Sequence, residues 1–227
     1  MKIIIDAGHG PDTPGKRSPD ETLREFQFNN EVANNVKHML SQYKDVEILF
    51  SHAQTKDVSL SDRCTFANNN KADLFVSIHA NAYGTDWNNA QGIETYTYIS
   101  KPDKALELAA YVQTALIRAT GRPNRGIKQA DFAVLRETNM TAILVECGFM
   151  TNKEECNLLK SADYRALVAT GIVKGIVDCY GLKKSTPITG SSGLFKVQVG
   201  AFANRTNAEN MVSDLKRMGY KDVIIVQ

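Results

Sequence analysis

Ile3, Ile4 and Ile5 form an unbroken β-branched run that stops at Asp6-Ala-Gly-His9-Gly10. With no polar alternation, such a run suits a strand covered on both faces, as inner strands of layered α/β sheets are. The two glycines let the chain turn and allow a neighbour to approach closely. A histidine is thereby delivered at the carboxyl end of a buried strand, where open α/β sheets place their ligands. The same pattern recurs twice. Asp73-Leu-Phe-Val-Ser-Ile-His79 is an apolar strand that ends in a second histidine, and Ala142-Ile-Leu-Val-Glu146 is one that ends in a carboxylate.

Between these runs the pattern switches to helical spacing. Helices are expected from about Glu25 to Gln42, Leu60 to Asn70, Pro102 to Thr120, Asn152 to Leu159 and Asp163 to Tyr180. Further strands are expected at Val46–Phe50, Ile93–Ile99 and Phe132–Leu135. Strands and helices in this rhythm predict a layered α/β domain over residues 1–182. Residues 183–193, Lys-Lys-Ser-Thr-Pro-Ile-Thr-Gly-Ser-Ser-Gly, read as a linker. Residues 194–227 then read as a small βαβ unit, with strands at 194–199 and 223–226 around a helix from Asn204 to Met218. Ala208, Met211, Val212, Leu215 and Met218 supply the apolar face of that helix. A unit this small is short of core, since domains below about 40 residues usually need a staple or a partner.

Composition narrows the function classes. The chain is 43% apolar and 23% charged, and its net charge is +2. From Lys183 onward seven Lys and Arg face three Asp and Glu, a local charge of +4 that suits an anionic polymer. No stretch approaches the roughly 18 apolar residues of a membrane span, and nothing calls for a nucleic-acid partner. The strand at the amino terminus leaves no room for a secretory signal peptide. Cys64, Cys147, Cys156 and Cys179 contain no C-x-x-C pair, and each sits in an apolar or helical pattern. Buried free thiols are expected.

The ionisable residues at the strand ends carry the chemistry. Phe28, Val32, Val36 and Met39 form one helical stripe, and counting back three residues puts Glu25 on it, while Glu31 and His38 fall on the opposite face. A carboxylate in a first helical turn also has a purely structural explanation in the helix dipole. Its inward phase is the added signal. Two imidazoles and a carboxylate are the protein ligands of a hydrolytic zinc site, and a second carboxylate nearby can serve as general base. His9, His79, Glu25 and Glu146 supply these types from distant segments, without the single-helix H-E-x-x-H spacing.

The motifs themselves resemble the zinc-dependent N-acetylmuramoyl-L-alanine amidases of the amidase 3 family. The matching residues are Ile5-Asp-Ala-Gly-His-Gly10, Glu25 with Phe28 and Val32-Ala33, and Leu60 with Arg63. Ala72-Asp-Leu-Phe-Val-Ser-Ile-His-Ala-Asn-Ala82, Gly92-Ile-Glu-Thr-Tyr96 and Leu144-Val-Glu-Cys-Gly-Phe-Met-Thr-Asn152 complete the set, in order. The resemblance implies a mixed, mostly parallel sheet of about six strands flanked by helices. It also implies Zn2+ held by His9, Glu25 and His79, with Glu146 as the catalytic carboxylate. Glu94 fits the family pattern too, and is expected to point at a groove or at solvent. The implied reaction is cleavage of the amide bond between N-acetylmuramic acid and the L-alanine of the peptidoglycan stem.

The tail resembles the peptidoglycan-binding SPOR repeat through Phe195-Lys-Val-Gln-Val-Gly-Ala-Phe202, Asn207-Ala208-Glu209 and Gly219-Tyr220. One βαβ half lies in the sequence where that family carries two, so the tail could stay disordered, dock on its own catalytic domain or pair with a second copy, and a homodimer through the tails is the favoured outcome. The expected setting is synthesis in the cytoplasm followed by action on the cell wall after release, as an endolysin or an autolysin. A catalytically inactive peptidoglycan-binding protein and a zinc carboxypeptidase acting on the stem peptide are the alternatives.

Overall fold

The structure, a computed structural model, describes residues 1–100, 103–185, 200, 202–220 and 223–225. The chain divides into two compact units, Met1–Ser185 and Thr186–Gln227. The first unit holds six strands: β1 (Lys2–Ala7), β2 (Glu47–Phe50), β3 (Leu74–Asn81), β4 (Ile93–Thr97), β5 (Asn124–Gln129) and β6 (Thr141–Phe149). They form one sheet in the order β2-β1-β3-β6-β4-β5. β1 runs parallel to β2 and β3, and β3 runs parallel to β6. β4 is antiparallel to β6 and carries β5 parallel at the edge. The mixed, mostly parallel sheet expected from the sequence is present.

Six helices of this unit are described: α1 (Glu25–Leu40), α2 (Leu60–Asn69), α3 (Asp103–Thr120), α4 (Ala133–Arg136), α5 (Lys153–Lys160) and α6 (Ala162–Tyr180). Local signals set several of their ends. Ser59 and Ser161 cap α2 and α6 by accepting the Asp62 and Tyr164 N–H groups, and Gly181 ends α6 at φ 61°.

Two elements differ from the sequence reading. Phe132–Leu135 was expected as a strand, but its last three residues lie in the one-turn helix α4, with Phe132 as its N-cap. Short apolar runs cannot be divided between helix and strand by periodicity. The strand in this region is instead Asn124-Arg-Gly-Ile-Lys-Gln129, which is largely exposed. As an edge strand it is charged and polar, which blunts its open hydrogen-bonding side. Such a composition hides it from a search for apolar runs.

Alternation along the strands sorts the core into two layers. On one face Ile3 and Ile5, Leu74, Val76 and Ile78, and Ile143 and Val145 pack with the apolar stripes of α1, α3 and α6. On the other face Ile4, Phe75, Ala142 and Leu144 pack with Cys64 and Ala67 of α2 and Val134 and Leu135 of α4. The second layer is small. It covers only part of its face, and toward the carboxyl ends of β1, β3 and β6 the same side-chain row turns polar, at Asp6, Ser77, His79 and Glu146. The four cysteines are free: Cys64, Cys147 and Cys156 are buried and Cys179 is half-buried.

In the second unit α7 (Arg205–Arg217) is capped by Asn204, whose side chain accepts the Thr206 N–H. Ala208, Met211, Val212 and Leu215 form its half-buried stripe. Met218, expected on that stripe, lies beyond the helix and is 73% exposed. The expected strand at 194–199 lies outside the described residues. Val223, Ile224 and Ile225, expected as strand, are in none.

α3 and α6 pack closely through two glycines of α6, Gly171 and Gly175. A Cβ placed on Gly175 would meet the Val112 Cα at 2.5 Å, and one on Gly171 would meet the Leu116 Cα at 2.8 Å. At an open helical site Gly→Ala stabilises by about 1 kcal/mol. Here overpacking against backbone costs about 1–3 kcal/mol and wins. Gly175→Ala is therefore expected to lower the midpoint of denaturant unfolding, and an unchanged or raised midpoint would contradict this packing.

Candidate metal centre

The site begins where β1 ends. His9 sits two residues beyond the strand with φ at 63°, a left-handed conformation that costs a non-glycine residue about 1–3 kcal/mol. Arg63 of α2 holds it there. This side chain is 1% exposed and spends its donors on the turn. Nη1 donates to the Ala7 carbonyl at 2.6 Å and to Asp6 Oδ1 at 2.7 Å. Nη2 donates to the His9 carbonyl at 2.6 Å and to Asp57 at 3.2 Å, and Nε donates to the Val58 carbonyl at 2.8 Å. Burial alone would raise the Asp6 pKa, but Arg63 and the hydroxyls of Ser77 and Ser51 outweigh it and hold the carboxylate ionised.

His79 lies on β3 beside this turn, and its ring passes over Gly8. A Cβ on Gly8 would fall 2.1 Å from His79 Cε1, so only glycine fits. Glu25, in the first turn of α1, reaches the same point from the other layer and is 3% exposed. Its Oε2 is 3.2 Å from His9 Nε2, and its Oε1 is 2.9 Å from His79 Nδ1. The Ala80 N–H also donates to Oε1, at 3.2 Å. The two imidazole rings stand perpendicular with centroids 5.1 Å apart.

His9, Glu25 and His79 thus each offer one ligand atom, all within 4.8 Å of one another. Ligands about 2.0–2.2 Å from a tetrahedral ion stand roughly 3.4 Å apart, so the two short separations suit such a shell. The mixture of two nitrogens and one carboxylate oxygen suits zinc.

Glu146 is in direct register with His79 across the β3–β6 pair, so both side chains project from the same face. Its Oε2 is buried and has no hydrogen-bond partner. Burial raises its pKa well above the carboxylate range, and the charges of Glu25 and Glu94 push the same way against the pull of His79. For Glu25 burial also raises the pKa, yet its contacts with His79 and His9 prevail and hold it low. Two carboxylates at one site are thereby driven to opposite protonation behaviour. His38 is exposed on the far side of α1, and Glu31 pairs with Arg165, so neither belongs to the cluster.

The N-acetylmuramoyl-L-alanine amidase family model matches residues 3–178. The chain belongs to that family. A SPOR domain model matches residues 191–227. A sporulation-specific N-acetylmuramoyl-L-alanine amidase of Bacillus subtilis (strain 168) is 35% identical over 100% of this chain and 85% of its own length. An N-acetylmuramoyl-L-alanine amidase of Bacillus licheniformis is 32% identical over 99% of this chain and 85% of its own length. The crystal structure of an N-acetylmuramoyl-L-alanine amidase from Clostridium difficile 630 is 37% identical, with a TM-score of 0.76, over 80% of this chain and 97% of that one.

In this amidase Glu94 departs from the expectation that it faces a groove or solvent. It is 2% exposed and stands opposite Glu146 on the antiparallel strand β4. Its Oε2 accepts Lys128 Nζ at 2.5 Å and Arg125 Nε at 2.6 Å, and its Oε1 accepts the Tyr96 hydroxyl at 2.7 Å and Asn81 Nδ2 at 2.8 Å. Both cations come from the edge strand that the sequence reading missed, so the signal for a buried carboxylate was lost with it. Ser77, two residues before His79 in an apolar strand, shares its face, a spacing that marks it in the sequence.

His52 of the amidase lies beneath the turn, away from the ligand cluster. Its Nδ1 accepts the Ala7 N–H at 3.0 Å, which puts the ring proton on Nε2, 3.2 Å from Asn30 Oδ1. Burial, aided by Arg63 and Lys37 against Asp6, pushes its pKa down to about 4. An unfolded histidine titrates near 6.5, so between these values the unfolded chain binds more protons and stability must fall as pH falls. The stabilisation is fully present above pH about 6.5. A loss approaching about 3 kcal/mol is expected by pH about 4. Denaturant titrations of the zinc-supplemented protein and of His52→Gln should show the steeper pH dependence in the parent, and parallel curves would contradict the assignment.

Proposed function

We propose that this chain is a zinc-dependent N-acetylmuramoyl-L-alanine amidase. Its reaction is hydrolysis of the amide bond that joins N-acetylmuramic acid to the L-alanine of the peptidoglycan stem. The observation that carries the reading is the division between two carboxylates. Glu25 is engaged by both imidazoles, whereas Glu146, one strand from His79, keeps a buried oxygen without a partner.

His9, Glu25 and His79 would hold Zn2+. When bound, the ion supplies Lewis acidity toward a carbonyl and lowers the pKa of a water. Glu146 takes a proton from the attacking water through its free oxygen and returns it to the departing alanine amine. Burial favours the protonated form of this carboxyl, which suits the second half of that task. Glu94 keeps its charge balanced by Lys128 and Arg125 and stays out of the proton transfer.

Glu146→Gln preserves shape and removes the base. Hydrolysis of purified walls is expected to fall by roughly 10²–10⁴-fold while zinc content persists, and zinc loss in this variant would make Glu146 a ligand instead. Mass spectrometry of the products should show intact peptides beginning with alanine. Release of single carboxyl-terminal amino acids would indicate a carboxypeptidase.

The SPOR match and the local charge of +4 support assigning wall binding to the tail. The incomplete burial of the stripe Ala208, Met211, Val212 and Leu215 among the described residues supports self-association through it. Light scattering is expected to show a concentration-dependent dimer that Leu215→Asp abolishes, and a monomer at all concentrations would remove this part of the reading.

A further inference from the structure

Beneath the ligand cluster lies a buried polar chain that reaches His79 from its far side. His79 Nε2 is 3.1 Å from Ser77 Oγ, and Ser77 Oγ donates to Asp6 Oδ2 at 2.6 Å. Asp6 Oδ1 accepts the Ser51 hydroxyl at 2.7 Å and Arg63 Nη1 at 2.7 Å. The order follows from β-sheet geometry. Asp6 and Ser77 are register partners on β1 and β3, and Ser77 and His79 are two residues apart on one face.

Counting protons along the chain fixes its direction. An ionised carboxylate only accepts, and a hydroxyl has a single proton to give. Asp6 faces a guanidinium and two hydroxyls, so it is the terminal acceptor. Ser77 spends its proton on Asp6 and can offer His79 only a lone pair. The imidazole must then donate through Nε2–H, and the atom left to meet a metal is Nδ1, which in the metal-free chain stands 2.9 Å from Glu25 Oε1.

We propose that Ser77 and Asp6 are positioning residues that lock His79 in the Nε2–H tautomer, so that its Nδ1 lone pair is aimed at the metal ligand position. This rests on the reading of His9, Glu25 and His79 as a zinc site. Outer-shell partners of a ligating histidine fix its tautomer and ring orientation, and their loss weakens metal binding by about 10–100-fold. Arg63 supports the chain from behind. It secures the Asp6 carboxylate and, through the Ala7 and His9 carbonyls, the turn that carries another ligand.

Two measurements test this on the full chain. The first is zinc affinity by competition with a chromophoric chelator, for the parent, Ser77→Ala and Ser51→Ala. Ser51 is the control, because its hydroxyl also donates to Asp6 in a buried setting but does not touch His79. Ser77→Ala is expected to bind zinc about 10–100-fold more weakly, with Ser51→Ala within about twofold of the parent. Equal affinity in all three proteins, or an equal loss in both variants, would overturn the proposal. The second is the protonation pattern of the His79 ring in the zinc-free parent, read by long-range nitrogen–proton NMR. A proton on Nε2 is expected, and an Nε2 without one would overturn the proposal even where Ser77→Ala fails to fold. If the parent itself binds no zinc, the metal reading fails, while the NMR pattern still reports on the tautomer.

Discussion

Arg63 lies under the turn that follows β1, and the geometry of the site depends on it. A buried guanidinium is costly unless its donors are satisfied. Here Asp6, Asp57 and the carbonyls of Val58, Ala7 and His9 satisfy them. The pair is not an economical source of stability, since well-packed apolar residues often do as well. What it contributes is conformational. The same side chain bonds the carbonyls on both sides of Gly8 and so holds His9 in a left-handed conformation that the residue would otherwise avoid. Stability supplied by the sheet is thereby converted into a fixed imidazole position.

The sheet places the remaining groups by phase. Ile4, Phe75, Ala142 and Leu144 mark the smaller apolar layer, and two residues further along each strand the same side-chain row carries Asp6, Ser77, Leu144's neighbour in phase Glu146, and then His79. Register brings His79, Glu146 and Glu94 into one line across β3, β6 and β4. Glu25 completes the arrangement from α1, on the opposite layer. Glu25 therefore depends on how that helix docks, whereas His79 and Glu146 depend only on strand pairing.

This origin explains what could be read in advance. Unbroken apolar runs made β1, β3 and β6 visible, and helical phase separated the inward Glu25 from Glu31 and His38. The runs did not locate the functional residues within their strands: His79 and Glu146 precede the strand ends at Asn81 and Phe149. β5 escaped because an edge strand need not be apolar, and with it went the cations that bury Glu94. Phe132–Leu135 was too short for periodicity to separate helix from strand. Spacing alone sets Ser77 on the face of His79, but its link to Asp6 emerges only from the β1–β3 register.

Counter-charge is what distinguishes the carboxylates. Glu146 feels the charges of both Glu25 and Glu94, and each raises its cost of ionisation. Glu94 is compensated by Lys128 and Arg125, which outweigh its burial and keep it ionised. Glu25 is compensated by two imidazoles. Glu146 forms no ion pair among the described residues, and one of its buried oxygens has no partner. A carboxyl in that position gains least from staying charged and loses least by accepting a proton. The fold therefore separates these carboxylates by withholding a partner from one of them, Glu146.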